Sequence, residues 1–206
     1  MQEQDPAFYA TAGIHPHDAK EGTPEELSKI EKLLNHPRMV AIGEVGLDFF
    51  RNLSTEEKQI EVHRHFFKLH KKTGKPLVIH CRDAYEKFID LVKEELKPPV
   101  SGLMHCYSSD KETMLKLLDL GFYISFAGPL TYKKNDALRE ACEACPMDRL
   151  LFETDAPYLA PQAFRGKRNE SSYLIETAKV AAGLHHVSLD ELGHQTTANA
   201  KKVFRL

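Results

Sequence analysis

The stretch 39–48, Met-Val-Ala-Ile-Gly-Glu-Val-Gly-Leu-Asp, constrains this chain more than any other. Its apolar run is too short for a helix and reads as a strand buried on both faces, as in a parallel sheet covered by helices. Glu44 falls where that run ends, flanked by Gly43 and Gly46. An ionised carboxylate is rarely buried without a cation or a hydrogen-bonding partner, and the glycines let backbone or ligand come close beside it. A metal ion would serve.

Four more segments repeat the design. Leu77, Val78 and Ile79 end in His80. Gly102, Leu103 and Met104 end in His105. Leu150, Leu151 and Phe152 end in Glu153, Thr154 and Asp155, and the run 9–14 ends in His15, Pro16 and His17. A lone histidine after an apolar run is more often a hydrogen-bonded core residue, but five such strand tips in one chain point to a shared site.

Between these tips lie helical patterns. Thr23, Pro24 and Glu26 cap a helix over 24–34, and Ser54-Thr55-Glu56-Glu57 opens another that Gly74 ends. His63 and His65, two apart on that helix, project about 200° from each other and cannot chelate one ion, so a solvated or helix-packing pair is expected. A helix follows 82–84, and Ser109 with Glu112 suits a capping box for the next. After a strand over 122–127, a helix near Asp136 and a strand over 150–154, three helical segments are expected: 171–182, a short one capped by Ser188 and Glu191, and 197–204.

Six strands alternating with helices argue for an α/β fold with a parallel sheet. No Gly-rich phosphate loop follows the first strand, which favours a TIM-type (β/α)8 barrel over a doubly wound sheet, incomplete at six of eight strands. One domain over 1–206 is expected, because 206 residues at 42% hydrophobic suffice for a sizeable core. With 28 Lys plus Arg against 30 Asp plus Glu, nothing global attracts nucleic acid or acidic membrane, so a polyanion would need local charge or a bound metal. No apolar run is long enough to span a bilayer, and residues 1–6 lack the basic and apolar regions of a signal peptide. A cytoplasmic location is therefore the expectation, or nuclear in a eukaryote. Cys81 and Cys106 each follow a candidate ligand histidine, while Cys142 and Cys145 form one C-x-x-C within a helical stretch. Without a second pair, or a strand leading into it, that motif reads as buried or incidental thiols.

Taken together, Gly13-Ile14-His15-Pro16-His17, Gly43-Glu44-Val45-Gly46-Leu47-Asp48, Ile79-His80-Cys81-Arg82-Asp83-Ala84, His105-Cys106-Tyr107-Ser108 and Glu153-Thr154-Asp155-Ala156-Pro157-Tyr158 resemble the TatD family of metal-dependent deoxyribonucleases, within the amidohydrolase superfamily of barrels. The resemblance implies that Glu44 bridges two divalent cations, that His80 and His105 ligate one, and that Asp155 binds the other or its water and acts as general base. It implies that His15 lines the site and touches the substrate phosphate, and that the substrate is DNA, attacked from a 3′ end. Imidazole and carboxylate donors suit Zn²⁺, with Mg²⁺ or Mn²⁺ where oxygen dominates. The family's opening His-x-His pair has no counterpart here, so one tight cation site and one weakened site are expected, unless a residue such as His17 replaces the pair.

Arg82 and the cluster Arg165, Lys167 and Arg168 are candidates for phosphate contact, with a solvated loop as the alternative for the cluster. Glu153 lies on the same strand face as Asp155 and suits a partner behind the ligands. Two other functions stay open: hydrolysis of a small ester, amide or lactone at the same site, and a truncated, non-catalytic remnant that binds a partner.

Overall fold

The computed structural model describes residues 8–206, so the reading of residues 1–6 as lacking a leader lies outside the described residues. Among the described residues six strands alternate with helices, and two helices close the chain, seven α-helices in all. They form two compact units, one running to Leu103 and including Arg205, the other beginning at Met104.

In the first unit β1 (Ala10–Ala12), β2 (Met39–Asp48) and β3 (Leu77–Arg82) pair in parallel, β1 with β2 and β2 with β3. The helices are α1 (Pro24–Leu33), α2 (Glu56–Thr73) and α3 (Tyr85–Glu95). Thr23 and Thr55 cap α1 and α2 by accepting from the Glu26 and Lys58 N–H groups, and Gly74 closes α2 in the left-handed conformation. Ile42, Val45 and Leu47 of β2, Leu77 and Ile79 of β3, Phe66 and Phe67 of α2 and Phe88 of α3 have no exposed surface. Each such side chain contributes about 1.5–3 kcal/mol by leaving water, which is what presses helices onto the strands.

His63 belongs to this core. It is 1% exposed, its ring centroid lies 4.3 Å from that of Phe67, and neither ring nitrogen has a partner. Of the two expectations for the His63 and His65 pair, His63 realises the helix-packing one.

β2 runs past Glu44 to Asp48, with a register irregularity between Ile42 and Val45. Gly46, at φ 145°, is paired with His80, and a Cβ there would stand 1.9 Å from the His80 carbonyl oxygen. No side chain can yield to relieve a clash with backbone. Gly46→Ala is therefore expected to destabilise the protein by at least ~2 kcal/mol in urea titration, and an unchanged midpoint would show that β2 and β3 part freely here.

The chain leaves the first unit within β4 (Gly102–Met104). The second unit holds α4 (Lys111–Asp119), β5 (Tyr123–Phe126), α5 (Asp136–Ala144), β6 (Leu150–Phe152), α6 (Leu174–His185) and α7 (Leu189–Phe204), with β5 and β6 parallel. Two local expectations are corrected. The cap of α4 is Asp110, whose side chain accepts from the Thr113 N–H at 2.8 Å, and not Ser109. The last two expected helices are one, α7, opened by a reciprocal box in which Ser188 Oγ accepts from the Glu191 N–H and Glu191 accepts from the Ser188 N–H. Gly193 does not interrupt it.

Three buried side-chain amides fasten strand ends. Gln59 donates to the Asp48 and Ser54 carbonyls at 3.0 and 2.9 Å and accepts from the Asp48 N–H at 2.7 Å. Asn169 donates to the Thr154 and Tyr158 carbonyls, both at 2.6 Å, and Asn199 to those of Met147 and Leu150 at 2.8 and 2.9 Å.

Candidate metal centre

In the first unit the segment after β1, the second half of β2 and β3 bring five side chains together: His15, His17, Glu44, Asp48 and His80. His80, at the position opposite Gly46, is held at both ring nitrogens. Its Nδ1 lies 2.8 Å from Glu44 Oε1 and its Nε2 lies 3.0 Å from Asp48 Oδ2. His17 Nε2 reaches the same Asp48 oxygen at 2.8 Å, and His15 Nε2 lies 3.5 Å from Glu44 Oε1. The His15, His17 and His80 rings are mutually edge-on, with His15 at 4.3 Å from His17 and 4.5 Å from His80 by ring centroid.

Asp48 is 1% exposed. Burial alone would raise its pKa, but bonds from the Arg51 N–H and from His17 and His80 outweigh burial and hold it down to about 2. Its other oxygen, Oδ1, accepts from the Phe50 and Arg51 N–H groups at 3.0 and 2.8 Å. The carboxylate is thus ionised and fully occupied, with no lone pair left for the cleft.

His15 has one proton placement that fits. Its Nδ1 accepts from the His17 N–H at 3.1 Å, so in the neutral ring the proton sits on Nε2, the nitrogen that faces Glu44. That neutral ring is a hydrogen-bond donor toward Glu44. A cleft of about 370 Å³ opens beside it, lined by His15 together with Asp18, Glu21, Glu26 and Glu44. Four carboxylates around one cleft repel an anion unless a cation offsets them.

In the second unit His105 directly follows β4, and its Nδ1 lies 2.5 Å from Glu153 Oε1 while its Nε2 lies 3.8 Å from Asp155 Oδ1. Asp155 adopts φ 57°, a left-handed conformation that Asp tolerates, and its carbonyl accepts from the Tyr158 N–H in the turn that follows.

The donor set fits a divalent cation. A neutral imidazole carries one proton, yet His80 meets a carboxylate oxygen at hydrogen-bond distance from each nitrogen. One of those contacts is lone pair against lone pair unless a positive charge stands between them.

Arg82 ends β3 with its guanidinium 3.7 Å above the ring of Phe50. Arg165 lies 4.1 Å over Tyr132, Lys167 lies 5.8 Å from Phe164, and Arg168 is exposed. Asn169 beside this exposed loop is 2% exposed and donates to the Thr154 and Tyr158 carbonyls on either side of Asp155. Burial pushes the Cys142 and Cys145 thiols up, Cys145 to about 12, which makes both inert at neutral pH. Asp48 is the site residue that sequence reasoning passed over as an orienting group, while His17 was expected only as a stand-in for the missing ligand pair and not as a partner of Asp48.

Imidazoles and carboxylates delivered at the tips of parallel strands in an α/β chain are the hallmark of metal-dependent hydrolases of barrel type. More particularly, the chain belongs to the family described as TatD related DNase, whose profile matches residues 1–205. It is 42% identical over its full length to an uncharacterized metal-dependent hydrolase of Bacillus subtilis, covering 81% of that protein. It is 37% identical to the 3'-5' ssDNA/RNA exonuclease TatD of Erwinia billingiae, over 96% of this chain and 78% of that one. Among solved structures, a TatD homologue from Escherichia coli matches 99% of this chain and 79% of its own at a TM-score of 0.93 and 26% identity. The α/β fold with six parallel strands is therefore that of the family, two strands fewer than a closed (β/α)8 barrel, as the sequence led us to expect. No helix among the described residues is long and apolar enough to cross a membrane.

Proposed function

We propose that this protein hydrolyses phosphodiester bonds of single-stranded DNA from a 3′ end, with Glu44, His80, His105 and Asp155 as the cation-holding set. The observation that carries this reading is the near full-length similarity to a relative named as a 3'-5' ssDNA/RNA exonuclease. A bound divalent cation would supply a water of lowered pKa and offset the charge of the phosphate. The chain's own groups do the rest. Asp155 takes the proton from the attacking water. His15 donates its Nε2 proton to a phosphate oxygen, a role supported by the backbone bond that fixes its tautomer. Glu153 orients His105 by facing its Nδ1, which turns Nε2 toward Asp155. Arg82 and the loop of Arg165, Lys167 and Arg168 contact further phosphates without reading sequence.

Incubation with single-stranded and duplex DNA, RNA, and small esters and lactones tests the reading. Mononucleotides released progressively from 3′-labelled single strands are expected. Turnover of a lactone or ester with no nucleotide release would replace it with the small-substrate alternative.

Two imidazoles and one carboxylate make a three-ligand set with an open position, whereas Glu44 and Asp155 alone offer only oxygens to a second ion. After dialysis about one equivalent of metal per chain is therefore expected by elemental analysis, with activity rising further on added Mg²⁺ or Mn²⁺. Two retained equivalents would mean that a further donor, with His17 the nearest, completes the second site.

A further inference from the structure

We propose that Asp48 is a positioning residue that holds the Nε2–H tautomers of His17 and His80 together, leaving the Nδ1 of His80 bare toward Glu44 and the cation site. The proposal rests on the reading above in taking His80 and Glu44 as cation ligands, and it adds two residues to that site.

The argument is one of proton counting. Asp48 Oδ2 lies 2.8 Å from His17 Nε2 and 3.0 Å from His80 Nε2, while Oδ1 is filled by the Phe50 and Arg51 N–H groups. An ionised carboxylate only accepts, so both rings must bring their proton on Nε2. In the neutral ring of His80 this leaves the Nδ1 lone pair facing Glu44 Oε1 at 2.8 Å, two lone pairs aimed at one point. Such a pair is unfavourable without a cation and is a ready half of a coordination sphere with one. Ligating histidines commonly donate their second N–H to a carboxylate, which fixes the ring and raises its basicity. Here one buried oxygen serves two rings. His17 is held by the same oxygen, whereas His15 has its Nδ1 occupied by the His17 N–H.

Asp48→Asn discriminates this role from a structural one. The two backbone N–H groups require an acceptor at the Oδ1 position, so the new amide would place its oxygen there and turn its NH₂ toward the rings. A donor would replace the acceptor and reverse the tautomers, with the fold kept by the same backbone bonds.

Two measurements follow. Long-range ¹H–¹⁵N spectra of ¹⁵N-labelled, chelator-treated protein at about pH 8 report the protonated ring nitrogen directly. In the unsubstituted protein both His17 and His80 are expected to carry the proton on Nε2, and in Asp48→Asn the proton of His80 is expected on Nδ1. Finding it on Nδ1 in the unsubstituted protein, or unmoved in the variant, overturns the proposal. Cobalt(II) titration read by visible absorption is expected to show roughly 10–100-fold weaker binding in Asp48→Asn. Equal affinity overturns the positioning role. Should the variant fail to fold, the spectra of the unsubstituted protein still decide. If the unsubstituted protein binds no cobalt, the ligand set proposed above is what fails, while the tautomer result stands on its own.

Discussion

Glu44→Gln is expected to lower metal-stimulated hydrolysis by about two orders of magnitude or more while leaving far-ultraviolet circular dichroism and the thermal midpoint close to those of the parent. Glu44 Oε1 lies 2.8 Å from His80 Nδ1 and 3.5 Å from His15 Nε2, so it stands where a cation shared with His80 would take a negative ligand. Glutamine keeps the shape, removes the charge, and can turn an N–H toward His80 Nδ1, blocking the lone pair that the cation needs. Asp155→Asn should fall by a similar factor for a different reason, since an amide cannot take the proton from water. The two can be told apart by metal content: Glu44→Gln loses retained metal and Asp155→Asn keeps the tight equivalent. Parental turnover in either variant would exclude the role assigned to it.

The second large effect lies away from the chemistry. Burial pushes the pKa of His63 down to about 3, against about 6.5 for a solvated histidine. Between those values the unfolded chain binds a proton that the folded chain refuses, so stability falls as pH falls, by up to ~1.4 kcal/mol for each pH unit across that window. Above about pH 6.5 the contribution is constant. His63→Leu, nearly the same volume, is expected to flatten the loss between pH 6.5 and 4. It should also raise stability at pH 7 by about 1–3 kcal/mol, because two buried ring nitrogens without partners disappear. Urea unfolding at several pH values checks both, and an acid limb as steep as the parent's would mean that other groups carry the acid sensitivity.

Much of this architecture was legible in the sequence because short apolar runs mark strands and their ends mark tips. His105 and Asp155 follow the strands that those runs marked, whereas Glu44 and His80 lie within β2 and β3, which run on to Asp48 and Arg82. Thr23, Thr55 and Ser188 were readable as caps for the same local reason. Asp48 escaped notice because the apolar run was read as ending at Glu44, although Glu44, Gly46 and Asp48 share one parity in a strand that continues to Asp48. The signal was present and would have sufficed. His17 is another matter, since its bond to Asp48 joins residues 31 apart and no local pattern encodes it. Ser109 and Asp110 are both good caps, and only the geometry of the turn chose between them. Gly193 and the β-branched pair Thr196 and Thr197 weaken α7 locally, but Asn199, fastened to the Met147 and Leu150 carbonyls, carries the helix through.

Gln59, Asn169 and Asn199 also govern how the protein ages. While folded, each amide is buried and rigidly held, beyond easy reach of the backbone attack and water that deaminate such groups. Each opening of the chain exposes them. Once any of the three has become a carboxylate, refolding must set a negative oxygen against two carbonyl oxygens that formerly received a donor, and the buried charge has no counterion there. Unfolding that begins as a reversible excursion thereby acquires a ratchet at each of these three amides.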